Sequence, residues 1–250
     1  MVELTNDVQS LLPMMVAVMV ARMTGDLFSH SLYSSLLKQK CIPFLEPEPC
    51  VLYQNKPLNL ELFTVKDVME RQVKVLHLRE KVSSLATLLL ETKHGGFPVI
   101  YHMEQAHEEV FIGSITRLEL YRILENETLF ETQNDRSCKQ HSQISYSEMS
   151  VKLLNSTKIN LLLNEYRTDI RYKDCYVNLK PYINQSAMTV HANFSLQRTY
   201  TIFRTLGLRH LTIVDLRNHV LGIITRKDLM AFQLEQKLLR SENLELEHRT

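Results

Sequence analysis

The order of apolar and polar positions divides this chain into regimes with different periods. Residues 11–21, LLPMMVAVMVA, are apolar on every side of a helix until Arg22 ends the run. At 1.5 Å of rise per residue that run is too short to cross a bilayer core of roughly 30 Å. The following stretch, DLFSHSLYSSLLKQK, gives a second short helical pattern with Leu32, Leu36 and Leu37 on one side. Two packed core helices satisfy this pattern. So do discontinuous intramembrane helices broken at Thr24-Gly25. Next, Pro43, Pro47, Pro49 and Pro57 crowd a short stretch, which forbids a helix and predicts an extended tether.

From Phe63 the periods become regular. TVKDVM opens a short helix with Thr64 as its cap, and residues 73–78, VKVLHL, read as a strand. In residues 80–92 the apolar positions Val82, Leu85, Ala86 and Leu89 fall at helical spacing. GFPVIYH (96–102) and EVFIGSI (109–115) are strand-like, and TRLELYRILEN (116–126) is a helix. The same order returns after LKPYIN: strand AMTVH, helix FSLQRTYTIFRTLG, strand HLTIVD, turn LRNH, strand VLGII and helix TRKDLMAFQLEQKL. Each copy is β-α-β-β-α, and Gly113 corresponds to Gly222. The insertion MEQAHEE lengthens the hairpin of the first copy. A unit this small buries too little of its sheet alone, so the two copies should pack on one another and leave clefts between equivalent elements. Between them, ETQNDRSCKQHSQISYSEMS is polar and aperiodic, which predicts a loosely ordered linker. VKLLNSTKINLLLNEY carries enough Leu and Ile to dock on an unspecified surface.

The repeated phrases VFIGSITRLEL (110–120) and HVLGIITRKDLM (219–230) hold the candidate chemistry. In each, a threonine precedes an acid by three positions: Thr116 with Glu119, Thr225 with Asp228. A capping box accounts for both pairs without a ligand. A carboxylate at a helix start beside a cleft is also suited to accept the hydroxyls of a ribose diol. Helix N–H groups with Arg226 or Lys227 would then suit phosphate.

Composition removes several alternatives. A net charge of +1, with 44% hydrophobic and 23% charged residues, gives no basic surface for nucleic acid. The four cysteines, Cys41, Cys50, Cys138 and Cys175, lack metal-ligand spacing and point to a reducing compartment. Glycosylation sequons at Asn126, Asn155, Asn184 and Asn193 matter only in a luminal setting. Glu3 and Asp7 stand where a signal peptide would be basic. There is no P-loop, metal spacing or Ser/His/Asp order, so the chain reads as a non-enzyme.

The doubled unit ending in GxIT-R-x-D/E-L resembles the CBS domain, which usually occurs as a tandem pair and often binds adenosine nucleotides. Residues 2–40, together with GFPV, LGLRHLTIVD and VLGIITRKDL in that order, resemble the last membrane segments and cytoplasmic part of eukaryotic CLC chloride channels and chloride/proton exchangers. PFLEPEP and GDLFSHSLY lean toward the endosomal/lysosomal branch. The resemblance implies an α+β fold with tandem CBS domains packed with pseudo-twofold symmetry, preceded by two short membrane-type helices. It divides the chain into terminal membrane helices (1–40), a Pro-rich linker (41–62), CBS domain 1 (63–125), a polar linker (126–174), CBS domain 2 (175–240) and a charged tail (241–250).

By the same resemblance, Tyr33 matches the tyrosine that helps coordinate the central anion, chloride. ATP, ADP or AMP would sit between the CBS copies against His94, Gly95 and Asp228, with backbone near Val75 reading the base edge. The family often has Tyr where this chain has His94. The implied partners are the membrane, a second copy in a homodimer, adenine nucleotide and a β subunit, but not nucleic acid. The implied placement is an integral protein of an endosomal or lysosomal membrane with the CBS part cytoplasmic. The family's other anion-site loops and most of its membrane helices are absent, so the expected role is regulatory, in a chain that reads as a fragment of a longer product, a truncated gene product or an offshoot of the family, the first being favoured. The competing expectation is a soluble CBS-pair nucleotide sensor.

Overall fold

The computed structural model describes residues 11–28, 32–40, 42–47, 52–53, 56–57, 59–103, 108–132, 144 and 156–247. Cys41, Cys50, Cys138, the sequon Asn155 and nearly all of the polar stretch 133–155 lie outside the described residues. The chain falls into two compact units, Met1–Glu46 and Pro47–Thr250.

The first unit holds α1 (Leu11–Phe28) and α2 (Leu32–Gln39). The expected break at Thr24-Gly25 does not occur, and α1 runs through it. Thr24 Oγ1 donates back to the Val20 carbonyl at 2.9 Å and the Ala21 carbonyl at 3.0 Å, which keeps the helical turn closed. The apolar side chains of α1, including Leu12, Met19 and Met23, are exposed. Among the described residues no helix is long and apolar enough to cross a membrane.

The second unit opens with a two-stranded ribbon, β1 (Leu52–Tyr53) and β2 (Lys56–Pro57). In the first copy β3 (Leu76–His77) runs parallel to β5 (Gly96–Met103), and β5 is antiparallel to β6 (Glu108–Thr116). In the second copy β9 (Thr189–His191) is parallel to β10 (His210–Val214), and β10 is antiparallel to β11 (Val220–Thr225). Helix α3 (Val82–Glu91) buries the four apolar positions expected of it, Val82, Leu85, Ala86 and Leu89. The first copy closes with α4 (Arg117–Glu125). In the second copy α6 (Leu196–Thr205) ends at Gly207, whose φ of +64° favours glycine.

Three expectations change, and a fourth gains its surface. The predicted strand 73–78 shrinks to β3, and the chain turns directly into β4 (Arg79–Lys81), which joins another sheet. The linker is not wholly loose. β7 (Phe130–Thr132) and α5 (Ser156–Thr168) form within it, and β8 (Cys175–Asn178), just beyond it, lies between β4 and β7 in an antiparallel sheet. VKLLNSTKINLLLNEY docks through α5 onto the first copy, where Leu163 and Tyr166 join its core. Tyr166 Oη donates to the Leu124 carbonyl at 2.9 Å. Finally, the last helix of the second copy, α7 (Ala231–Glu247), starts beyond Thr225. Residues 226–229 form a turn, with Asp228 N donating to the Thr225 carbonyl and Met230 N to the Lys227 carbonyl.

The copies exchange their lead-in segments. Val177, Leu179 and Ile183, which precede the second copy, are buried in the core of the first. Asn184 pairs with Ser114 of β6. Reciprocally, the segment before the first copy lies on the second: Glu70 pairs with Ile223 of β11, and Val65 N donates to the Phe194 carbonyl. Each copy's core is therefore completed by chain belonging to the other.

Candidate functional site

The repeated phrase sits where that exchange happens, and its residues have separate structural tasks. Each glycine lies under the other copy's lead-in backbone. A Cβ on Gly113 would stand 2.5 Å from the Asn184 carbonyl oxygen, and one on Gly222 would stand 2.7 Å from Met69 Sδ and 2.9 Å from the Glu70 carbonyl oxygen. Each glycine also adjoins a bulge. The pair Val99–Gly113 is followed by Ile100–Phe111, and Ile213–Gly222 by Val214–Val220, so Ile112 and Leu221 are left over.

Each arginine turns inward. Arg226 donates from Nε to the Leu208 carbonyl at 3.0 Å and from Nη2 to the Phe203 carbonyl at 3.2 Å. Arg117 donates to the Leu89 and His94 carbonyls and, from Nε, to Tyr121 Oη at 2.6 Å. Both guanidiniums thus satisfy carbonyls at the C-terminal end of their copy's first long helix and the loop beyond it. Arg226 is thereby turned away from the phosphate role considered for it, while Lys227 is exposed.

Both threonine–acid pairs form. Thr116 N and Oγ1 donate to Glu119 Oε2 at 2.7 and 2.8 Å, and Glu119 N donates to Thr116 Oγ1 at 3.3 Å. Thr225 N and Oγ1 donate to Asp228 Oδ2 at 2.8 and 2.6 Å. A third pair stands at Thr64, whose N and Oγ1 each donate to Asp67 Oδ2 at 2.8 Å.

The acids differ at their second oxygen. Asp228 Oδ1 holds the Lys237 ammonium at 2.8 Å, and Lys237 Nζ donates onward to the Val68 carbonyl at 2.9 Å. Val68 belongs to the first copy's lead-in segment, so the Lys237 ammonium bridges the seam. The side chains of Lys237 and Asp228 are 22% and 19% exposed. Among the described residues Glu119 Oε1 has no comparable partner.

The remaining expected site residues are dispersed around this seam. Val75 is half-buried beside β3. His94 and Gly95 are exposed, with the His94 ring edge-on to Phe97 at 6.2 Å between centroids. The Gly95 carbonyl accepts from Arg117 N, as the Arg209 carbonyl accepts from Arg226 N, which makes Gly96 and His210 equivalent positions. They also meet: a Cβ on Gly96 would collide with the His210 imidazole. A side chain at position 96 would force the His210 ring to move. Burial, then the Arg209 charge, lowers the His210 pKa from its ordinary value, and Glu119 opposes that shift. The structure thus joins the loop of Gly95 to the second copy through His210, and Asp228 to the first through Lys237. Among the described residues no hydrogen bond, ion pair or ring contact joins Asp228, His94 and Val75 to one another. A cavity of about 350 Å³ runs along α3, lined by Ser83, Ser84, Thr87, Leu88 and Glu91 of that helix with Lys74 and Thr92, and none of the expected nucleotide contacts lines it. Tyr33 is 78% exposed on α2 in the other unit.

Sequence reasoning missed Lys237 and His210. Lys237 is nine positions from Asp228, a spacing with no helical or strand meaning. His210 could have been found by aligning HLTIV with GFPVI, which sets it opposite Gly96.

The CBS domain family matches residues 65–126 and 179–235. Chloride channel protein C of Dictyostelium discoideum is 33% identical over 92% of this chain and 29% of its own length. Chloride channel protein A of the same organism is 33% identical over 92% of this chain and 31% of its length. The H(+)/Cl(-) exchange transporter 7 of Homo sapiens is 30% identical over 98% of this chain and 29% of its length. The chain thus spans less than a third of the length of these relatives. Among solved structures, CBSX2 in complex with AMP matches 70% of this chain and 98% of its own, at 19% identity and a TM-score of 0.42. The chain is a tandem CBS-domain protein, similar over nearly all of its length to the CLC chloride channels and chloride/proton exchangers.

Proposed function

We propose that the chain is the regulatory part of a chloride channel or chloride/proton exchanger, with an adenine nucleotide between its CBS copies as the regulating ligand. The observation that carries this reading is the likeness to chloride channel and exchanger sequences over 92% of the chain, on both sides of the Pro-rich tether. Its role is binding and regulation, not catalysis. Residues 1–40 supply terminal membrane helices, in which Tyr33 faces the transported chloride, and the CBS pair lies on the cytoplasmic side. The exposed stripe of Phe232, Gln236 and Leu239 on α7 is the surface for a second copy, whereas Leu229 belongs to the core. A β subunit and an endosomal or lysosomal membrane complete the assignment.

In this reading Asp228 receives the ribose hydroxyls, Gly95 and backbone near Val75 border the base, and the His94 ring stacks on adenine. Losing a charge-assisted bond costs roughly 1.5–3 kcal/mol of binding. Asp228→Asn should therefore weaken ATP binding about tenfold or more, at about 1.4 kcal/mol per decade. Asn still accepts one bond in the turn, so the melting temperature should move little. Glu119→Gln should affect binding less, and His94→Ala modestly. Calorimetric titration of ATP into the detergent-solubilised full chain measures all four proteins. No heat at millimolar ATP, or equal affinity in wild type and Asp228→Asn, would leave the threonine–acid pair at Asp228 with a structural role alone.

A further inference from the structure

We infer that Lys237 is a built-in competitor for the ligand at Asp228. It is a positioning residue that holds the carboxylate closed until a diol displaces it. The inference rests on the nucleotide reading and adds a residue and a linkage to it.

The argument begins with acceptor capacity. A carboxylate offers about four lone-pair positions. Thr225 N and Thr225 Oγ1 already fill Asp228 Oδ2, so a cis-diol must use Oδ1. Lys237 Nζ sits on Oδ1 at 2.8 Å. Two hydroxyls that converge on this oxygen meet the ammonium first.

The second contact of Lys237 makes this more than simple competition. Its Nζ also donates to the Val68 carbonyl at 2.9 Å, so one ammonium ties α7 to the carboxylate of its own copy and to the lead-in segment of the other. Displacing Lys237 removes both ties together. Diol binding is therefore linked to release of α7 from the Val68 carbonyl, and the linkage is reciprocal. A partly exposed ion pair contributes little net free energy, up to about 1 kcal/mol, so the hold is one that a small ligand can break.

The test uses two probes. Adenosine is neutral and carries the diol, whereas ATP adds phosphate charge. In the detergent-solubilised full chain, Lys237→Met should tighten adenosine binding by about fivefold. ATP should gain less, because the substitution also removes a positive charge from the seam. A residue that merely stabilised the fold would weaken binding when removed, so tightening separates the two roles. In an Asp228→Asn background the gain from Lys237→Met should vanish. Adenosine binding by Lys237→Met where wild type gives no heat would also support the competitor. Unchanged or weaker adenosine binding in Lys237→Met, with wild type binding normally, would overturn the inference and leave the nucleotide reading intact. A gain that persists in the Asp228→Asn background would do the same. No heat from either probe in any of the proteins would overturn both.

Discussion

In the first copy the last strand passes straight into a helix. Thr116 caps α4, and the free N–H of Glu119 reaches back to its hydroxyl. In the second copy the same letters give a turn, because Asp228 N bonds the Thr225 carbonyl instead and α7 waits until Ala231. Both acids satisfy their threonine, but only Asp228 holds a lysine on its second oxygen, and Lys237 carries that contact on to the Val68 carbonyl. A similar local signal, Thr-x-x-Glu in one copy and Thr-x-x-Asp in the other, thus gives a helix cap in the first and a turn in the second. What decides between them is the partner presented by the rest of the fold.

The copies also differ in what completes them. The core of the first takes in α5 from the linker in addition to the exchanged segment with β8, and the three-ring group of Phe130, Tyr166 and Tyr172 lies there. Leu163→Ala should break this asymmetry with the largest effect of those considered. Leu163 is 1% exposed, and truncating a buried leucine costs about 2–5 kcal/mol. Each kcal/mol corresponds to about 2–4 °C for a chain of this size. Thermal unfolding of the full chain in detergent followed by circular dichroism measures it. A loss below about 1 kcal/mol would mean that α5 is a surface strap and not part of the first copy's core.

The two glycines sharpen the comparison at an intermediate scale. Gly113→Ala forces a methyl against a backbone carbonyl and the Ile183 side chain at 2.5 Å each. Gly222→Ala meets the flexible Met69 side chain first and the Glu70 carbonyl second. Overpacking of this kind costs about 1–3 kcal/mol, with Gly113→Ala expected at the upper end and Gly222→Ala at the lower. Denaturant midpoints of the two variants, compared directly, check the order. Equal losses would show that both lead-in backbones are equally rigid.

The legible part of this fold follows short-range periodicity. The α3 positions, the order of strands and the Thr116–Glu119 box are set by neighbours within one turn or one strand, and such neighbours are visible in a linear reading. The exchange of lead-in segments was not visible, since Leu179 and Ile183 look like any apolar residues before a strand and their partners lie far away in the chain. The start of α7 was misplaced because TRKD carries the same capping letters as TRLE. Leu229, buried at 1% exposure, is anchored by packing that the letters do not record. At the site, Asp228 reads as a helix cap or a diol acceptor; it bonds its threonine as a capping acid would, but in a turn, with α7 starting only at Ala231. Its occupant Lys237 was not foreseen, because a contact nine positions away depends on where α7 is laid down.

The smallest effect tests the junction where equivalent residues meet. Gly96 yields its space to His210, so the imidazole is half-buried between the copies with Arg209 and Glu119 as its charged neighbours. Burial and Arg209 lower its pKa in the folded protein, whereas the unfolded chain titrates near the ordinary value of 6.5. Below that value the unfolded state binds more protons than the folded state, so stability falls as pH falls through 6.5 toward the lowered folded value. The contribution is fully present above 6.5 and should be missing from His210→Gln at every pH. Melting temperatures of wild type and His210→Gln, taken across pH 5–8, should therefore converge on the acid side and separate on the neutral side, if Gln fills the same space less well. Glu119 opposes the shift, so Glu119→Gln should steepen the acid loss in wild type and do nothing to the slope in the His210→Gln background. A flat difference between wild type and His210→Gln would mean that the imidazole only fills the space Gly96 leaves open, and that its charge state is irrelevant to how the copies meet.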